Sequence, residues 1–259
     1  MDILIFGGQS NMQGETEALI GTEPVPGAWE YKFLTDSLEP LKNPVGENVR
    51  TDGTAGYLYE KGVDQQMWLR DHALGAACYG HTNMVPEFCR TYTELTGHEV
   101  IAVHAAKGST QVYQWLPGTD GYRLLKEKAA AAIRKVGAPE RIFFMWLQGE
   151  SDAIFETTKA DYKAMCTELS EALKHDLGVE KFGMIRVGRF VNDERDLVIM
   201  SAQDELCREN EDFLMLTDAA VTLNVIPEAM NPYVCGHYSA RGLELLGRAA
   251  ATTLGLYAR

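Results

Sequence analysis

The chain has 259 residues, 46% of them hydrophobic, and a formal net charge of -13. That is enough apolar material for one substantial core, and the acidic balance speaks against nucleic acid and anionic membrane as partners, because both select basic patches. The five cysteines (Cys78, Cys89, Cys166, Cys207 and Cys235) are odd in number and include no Cys-x-x-Cys pair, which argues against a disulfide framework and a zinc ribbon and for a reducing compartment.

The opening run, MDILIFGGQSN, has no basic segment and only a short apolar stretch. It does not read as a signal peptide, and no apolar stretch approaches the ~20 residues that span a bilayer. The sequence therefore predicts a cytoplasmic protein with no membrane partner.

The first element is an apolar run, Asp2–Phe6, followed at once by Gly7-Gly8. Residues 19–83 hold four of the nine prolines and no clean period. So long an irregular stretch is expected to be a functional insertion, packed over the carboxyl edge of a sheet. Beyond it, a helical pattern at Pro86–Thr96 precedes the apolar run Glu99–Ala105. The alanine-rich helical pattern Tyr122–Val136 precedes Arg141–Leu147, which is apolar at every residue after its arginine. Between Thr157 and His175, the residues Tyr162, Met165, Cys166, Leu169 and Leu173 make one apolar stripe at helical spacing. The run Phe182–Val187, the helix Leu197–Asn210, the run Phe213–Leu216 and the helix Ser239–Leu254 complete the chain. Strands apolar on both faces that alternate with helices predict a three-layer α/β/α sandwich around a five-stranded parallel sheet, in one domain over residues 1–259.

In such sheets ligands bind beyond the carboxyl ends of the strands. Ser10 lies four residues past Phe6. A serine hydroxyl is a weak nucleophile that needs a base within hydrogen-bond reach, and a serine in a glycine-rich turn can equally be a helix cap. Four segments in order decide between these readings. They are Gly8-Gln9-Ser10-Asn11-Met12-Gln13-Gly14, then Lys107-Gly108-Ser109-Thr110 with Trp115 following, then Trp146-Leu147-Gln148-Gly149-Glu150-Ser151-Asp152, and last Gly236-His237-Tyr238-Ser239. Together they resemble the SGNH hydrolase superfamily, specifically its branch of sialate O-acetylesterases and acetyl xylan esterases. The segment Leu34–Glu47, with Leu41-Lys42-Asn43-Pro44, is similar as well.

The resemblance implies a flavodoxin-like SGNH fold and a serine esterase that removes O-acetyl groups from a carbohydrate, an acetylated sialic acid or a xylo-oligosaccharide, through an acyl-enzyme. It implies Ser10 as nucleophile and His237 as general base, since an imidazole titrates near pH ~6.5 and can both take and return a proton. Many relatives carry an aspartate three residues before the histidine, where this chain has Val234. In some members of the branch the glutamate of the Gln-Gly-Glu block takes that role, so the resemblance makes Glu150 the first choice for the carboxylate behind His237. Asp218, beyond the fifth run, is the alternative, and a Ser–His dyad is the third reading. The oxyanion hole is assigned by the same resemblance to the backbone N–H groups of Ser10 and Gly108 and the amide of Gln148. Gln9 and Trp115 are candidate substrate contacts, Trp115 as a platform for a sugar ring or as simple core packing. Asn11 is expected to stabilise the serine turn. The remaining histidines lack metal-ligand spacing, and neither a metal nor an organic cofactor is implied. An esterase of another short-chain acyl ester and a non-catalytic carbohydrate-binding relative stay open as alternatives. A cysteine hydrolase built on Cys235 is excluded, because residues two apart at a helix start do not face each other.

Overall fold

The computed structural model describes residues 1–33, 35–46 and 82–259. Cys78, His72, His81, the ends of the Leu34–Glu47 segment and the 47–81 part of the expected insertion lie outside the described residues.

Among the described residues, seven strands form one sheet: β1 (Asp2–Gly8), β2 (Ala28–Lys32), β3 (Ser37–Pro40), β4 (Val100–Ala106), β5 (Ile142–Leu147), β6 (Lys181–Ile185) and β7 (Phe213–Thr217), in the order β3-β2-β4-β1-β5-β6-β7. Every pairing is parallel except β2 with β3. The five expected strands are all present. The expected count of five is corrected to seven, because β2 and β3 arise inside the stretch expected to be irregular. What hid β2 is its buried Glu30, which holds Lys32 at 2.6 Å and accepts from the Gly46 N–H at 2.7 Å. A buried carboxylate needs such partners, and it breaks the apolar pattern that marks the other strands.

The two faces of the sheet are covered by different helices. Phe6 packs edge-on against Phe88, and Phe143 against both Tyr92 and Tyr257, so one face meets the helices Val85–Thr96 and Ala240–Ala258. On the opposite face Phe144, Trp146, Phe182 and Phe213 form a continuous ring stack under the helices Asp120–Val136, Lys159–Leu177 and Glu194–Glu209. Residues 143 and 144 point oppositely because side chains alternate along a strand, and burial on both sides is why these strands read as unbroken apolar runs. Three helix starts are set by hydroxyl caps. Thr119, Thr158 and Ser239 accept from the N–H of Tyr122, Asp161 and Gly242, respectively, each satisfying one otherwise orphaned donor. No helix among the described residues is long and apolar enough to cross a membrane.

The topology fixes where chemistry can occur. Central β1 pairs with β4 on one side and β5 on the other, and the strand order switches sides there, which is a topological switch point. The register places Gly8 beside both Ala106 and Leu147. The segments that follow these three residues, Gln9-Ser10, Lys107-Gly108 and Gln148-Gly149-Glu150, therefore emerge together at one edge.

Candidate active site

Ser10 opens a single helical turn, Ser10–Gln13, directly after β1. Gly8 makes that exit possible. Its φ is +141°, and a Cβ there would lie 2.1 Å from the Leu147 carbonyl oxygen, so only glycine fits. Beneath the turn, a nitrogen of the buried His104 lies 3.1 Å from the Met12 carbonyl oxygen.

His237 comes from the other end of the chain, two residues before the Ser239 cap. Its segment is held by a bridge between Met230 and Tyr238 and by the Asn231 N–H, which donates to the His237 carbonyl at 2.8 Å. The Phe190 ring meets the imidazole edge-on at 5.6 Å. The structure thus brings together two residues 227 positions apart: Nε2 of His237 lies 2.8 Å from Oγ of Ser10. The other ring nitrogen, Nδ1, lies 3.0 Å from the Cys235 carbonyl oxygen. A carbonyl only accepts, so this contact places the proton on Nδ1 and leaves Nε2 free to accept from the serine hydroxyl. The Cys235 side chain is exposed.

Neither candidate carboxylate meets Nδ1. Glu150 is buried, and its Oε1 accepts from Asn11 Nδ2 at 2.8 Å while Oε2 has no partner among the described residues. Burial pushes its carboxyl above the usual range, against the pull of the Asn11 hydrogen bond. Asn11 in turn accepts from the Tyr238 N–H at 3.2 Å and donates to the Gly236 carbonyl at 3.4 Å. Glu150 therefore reaches His237 through Asn11, which grips the residues on both sides of the histidine. Asp218 is 72% exposed and faces Arg186 at 3.6 Å. Asp218→Asn is expected to leave kcat/KM unchanged within about twofold, because an exposed pair of this kind contributes little. An acetyl-ester assay in which that variant is crippled would restore Asp218 to the site.

Three expected contacts are corrected. Trp115 is fully buried, packs edge-on against Trp146 at 5.7 Å and donates to Thr110 Oγ1 at 3.0 Å, so it is core rather than sugar platform. Gln9 is likewise enclosed. Its Oε1 accepts from the N–H of Ser151 at 3.1 Å and from Gln148 Nε2 at 3.2 Å. Gln148 is also fully buried, and its amide donates to the Thr110 carbonyl at 2.9 Å and to Asp152 at 2.5 Å. A primary amide has two hydrogens, and three acceptors (Gln9 Oε1, the Thr110 carbonyl and Asp152) already surround this nitrogen, so Gln148 has none left for an oxyanion. Asp152 is the hub of this layer, accepting also from the Val112 N–H and Thr157 Oγ1.

Gly108 does face Ser10. A Cβ added to Gly108 would lie 3.5 Å from Cβ of Ser10, 3.2 Å from Gln13 Oε1 and 2.8 Å from Glu15 Oε1. Its N–H donates to Gln13 Oε1 at 2.7 Å, so in the resting site a side-chain carbonyl sits on this donor. The residues to which the sequence assigned no role are Gln13 and Glu15. Both lie in or beside the serine block, and their polarity next to Gly14 was the available signal. Glu15 Oε2 is 3.4 Å from Nε2 of His237. Burial raises its carboxyl from 4.5 to about 7, with Lys107 pulling the other way.

Comparison with known proteins bears on the fold and the family. The solved structure of a protein from Arabidopsis thaliana matches with a TM-score of 0.65 at 17% identity, over 99% of this chain and 98% of that one. The crystal structure of NanS gives 0.66 at 14% identity, over 98% and 97%. A variant of Axe2, an acetyl-xylooligosaccharide esterase from Geobacillus stearothermophilus, gives 0.53 at 14% identity, over 98% and 94%. At these identities the likeness concerns the fold. No curated protein matches the chain. The model of the family described as "Carbohydrate esterase, sialic acid-specific acetylesterase" matches residues 74–251. The chain accordingly belongs to this carbohydrate esterase family and is a carboxylic ester hydrolase.

Proposed function

We propose that this protein removes O-acetyl groups from an acetylated sialic acid or a xylo-oligosaccharide by a two-step serine mechanism. The observation that carries the mechanism is the 2.8 Å contact between Ser10 Oγ and His237 Nε2, with Nδ1 held on the Cys235 carbonyl. Ser10 attacks the acetyl carbonyl while His237 takes its proton, and His237 then returns that proton to the departing sugar hydroxyl. Water activated by the same imidazole releases acetate. The Ser10 and Gly108 N–H groups are the proposed oxyanion donors. The Gln13 side chain must release Gly108 before the acyl oxygen can take its place.

The pair is read as a Ser–His dyad in which a backbone carbonyl fixes the tautomer, with Glu150 as a positioning residue acting through Asn11. Glu150→Gln retains an oxygen to accept from Asn11, so kcat/KM is expected to fall by less than about tenfold. Loss of a true triad carboxylate costs about 10⁴-fold. A 10⁴-fold loss in an acetyl-ester assay of Glu150→Gln would return Glu150 to the triad.

The acetyl preference is supported by the crowding of Gln13 and Glu15 against Gly108 beside the nucleophile. One excess methylene in a tight pocket discriminates by roughly 10–200-fold. With aryl esters, acetyl is expected to be turned over faster than butyryl by at least about 100-fold. The substrate class is tested by measuring acetate released from acetylated xylo-oligosaccharides and from O-acetylated sialic acid, side by side. Release from neither, with octanoyl aryl esters hydrolysed well, would overturn the carbohydrate reading in favour of a general esterase.

A further inference from the structure

The imidazolium that forms during acyl transfer needs a negative charge near it, and in a triad a carboxylate at Nδ1 supplies that charge. Here Nδ1 meets a neutral carbonyl. Among the described residues, Glu15 is the carboxylate that pairs with His237, and it does so on the opposite nitrogen.

Its placement is built. Gly14, at φ +97°, ends the serine turn and redirects the chain. The Glu15 carbonyl accepts from Asn231 Nδ2 at 3.0 Å, which ties its backbone to the histidine segment. The side chain is only 14% exposed. One carboxylate oxygen lies 3.4 Å from Nε2, and the other would lie 2.8 Å from a Cβ on Gly108. The carboxyl thus stands between Gly108 and His237, against the nitrogen that Ser10 also uses.

We propose that Glu15 is a catalytic residue whose carboxylate shares Nε2 of His237 with Ser10 and serves as the counter-charge to the imidazolium formed on attack. The inference rests on the reading of His237 as general base. In the attack, the Oγ–C bond forms, the carbonyl π pair moves to the acyl oxygen, and the serine proton passes to Nε2. Glu15 stays ionised and takes no proton. When Glu15 is protonated, its O–H can donate to Nε2 and displace the serine hydroxyl, so that form is inactive.

Among the described residues, the charged and titratable groups facing Glu15 are His237 from the carboxyl-terminal segment and Lys107 from the segment after β4. Glu17, on its own segment, is turned away to the Ala240 N–H. Glu150 adds its field to His237 from the far side. Burial outweighs the attraction of Lys107 and holds the Glu15 carboxyl at about 7. Activity should therefore fall as pH drops through that region.

The test is the pH dependence of kcat/KM with 4-nitrophenyl acetate for the wild-type chain, Glu15→Met and Glu15→Ala. Methionine keeps the length without charge or proton donor, and alanine guards against a packing artefact of the longer side chain. An opposite charge within ~4–6 Å typically moves a titration by 1–3 units. The acid limb in both variants is expected to lie at lower pH by about one unit or more. Acid limbs that coincide with the wild type would overturn the proposal, even if the melting temperature changes, because a purely structural role moves stability and not the limb. A wild-type chain inactive on every acetyl ester would instead remove the reading of His237 as base, so the two failures are distinguishable.

Discussion

Ser10→Ala is expected to lower kcat/KM for acetyl esters by at least about 10⁴-fold while leaving the fold intact. The magnitude follows from what the side chain supplies. Without Oγ there is no acyl-enzyme, and only the oxyanion donors and substrate binding remain, which typically leave about 10³–10⁴-fold over water. The stability change should be small. Ser10 is buried, and among the described residues its Oγ makes one side-chain hydrogen bond, at 2.8 Å to His237. A lost hydrogen bond of this kind contributes about 1 kcal/mol. His237→Asn should be comparably inactive, and the double variant should be no worse than either single one, because residues that act as one unit are strongly non-additive. A Ser10→Ala protein that releases acetate at the wild-type rate would end the serine mechanism outright. Additive losses in the double variant would mean that the two side chains act separately despite their contact.

The second large effect is on stability and depends on pH. Glu15 titrates at about 7 in the folded chain against 4.5 for the free side chain, because burial penalises its charge. Between those values the folded chain holds a proton that the unfolded chain has released. Raising the pH through that window therefore destabilises the fold. At one unit per ~1.4 kcal/mol, the cost is on the order of 3 kcal/mol and is complete above about pH 7. Glu15→Gln escapes it. Urea denaturation at pH 8 should show the variant more stable by about this amount, and at pH 4.5 the advantage should vanish. Glu150 and Asp152 are also raised by burial, but they are common to both proteins and cancel in the difference. An advantage equal at both pH values would mean that the gain comes from packing rather than from the buried charge. The conflict is informative in itself, since a buried ionised group is retained at a cost where function needs it.

Much of this molecule was legible as sequence. Five strands and five helices follow from short apolar runs and helical periods, because burial on both faces of a parallel sheet permits little polarity. Strand β2 escaped, since buried Glu30 interrupts its pattern and its partners, Lys32 and Gly46, are visible only once the chain folds. The serine and histidine were legible through their motifs. Three assignments drawn from the same blocks were not, because a motif records that a residue is kept and not which way it points. Gln9, Gln148 and Trp115 lie in or beside those blocks, yet they are spent on one another's layer beneath the site.

What the sequence by itself determined is the layer architecture, the motifs that carry Ser10 and His237, and the loop glycines that let them approach. Those follow from local periodicity, from backbone freedom and from residue chemistry. What only the tertiary structure decided is how the site is charged. Three contacts set it: a local one, Nδ1 on the Cys235 carbonyl, and two long-range ones, Glu150 on Asn11 and Glu15 against Nε2. Each joins segments separated in the chain or turned by a specific backbone angle. Charge interactions depend on distance and on burial, and neither is written in the order of the residues.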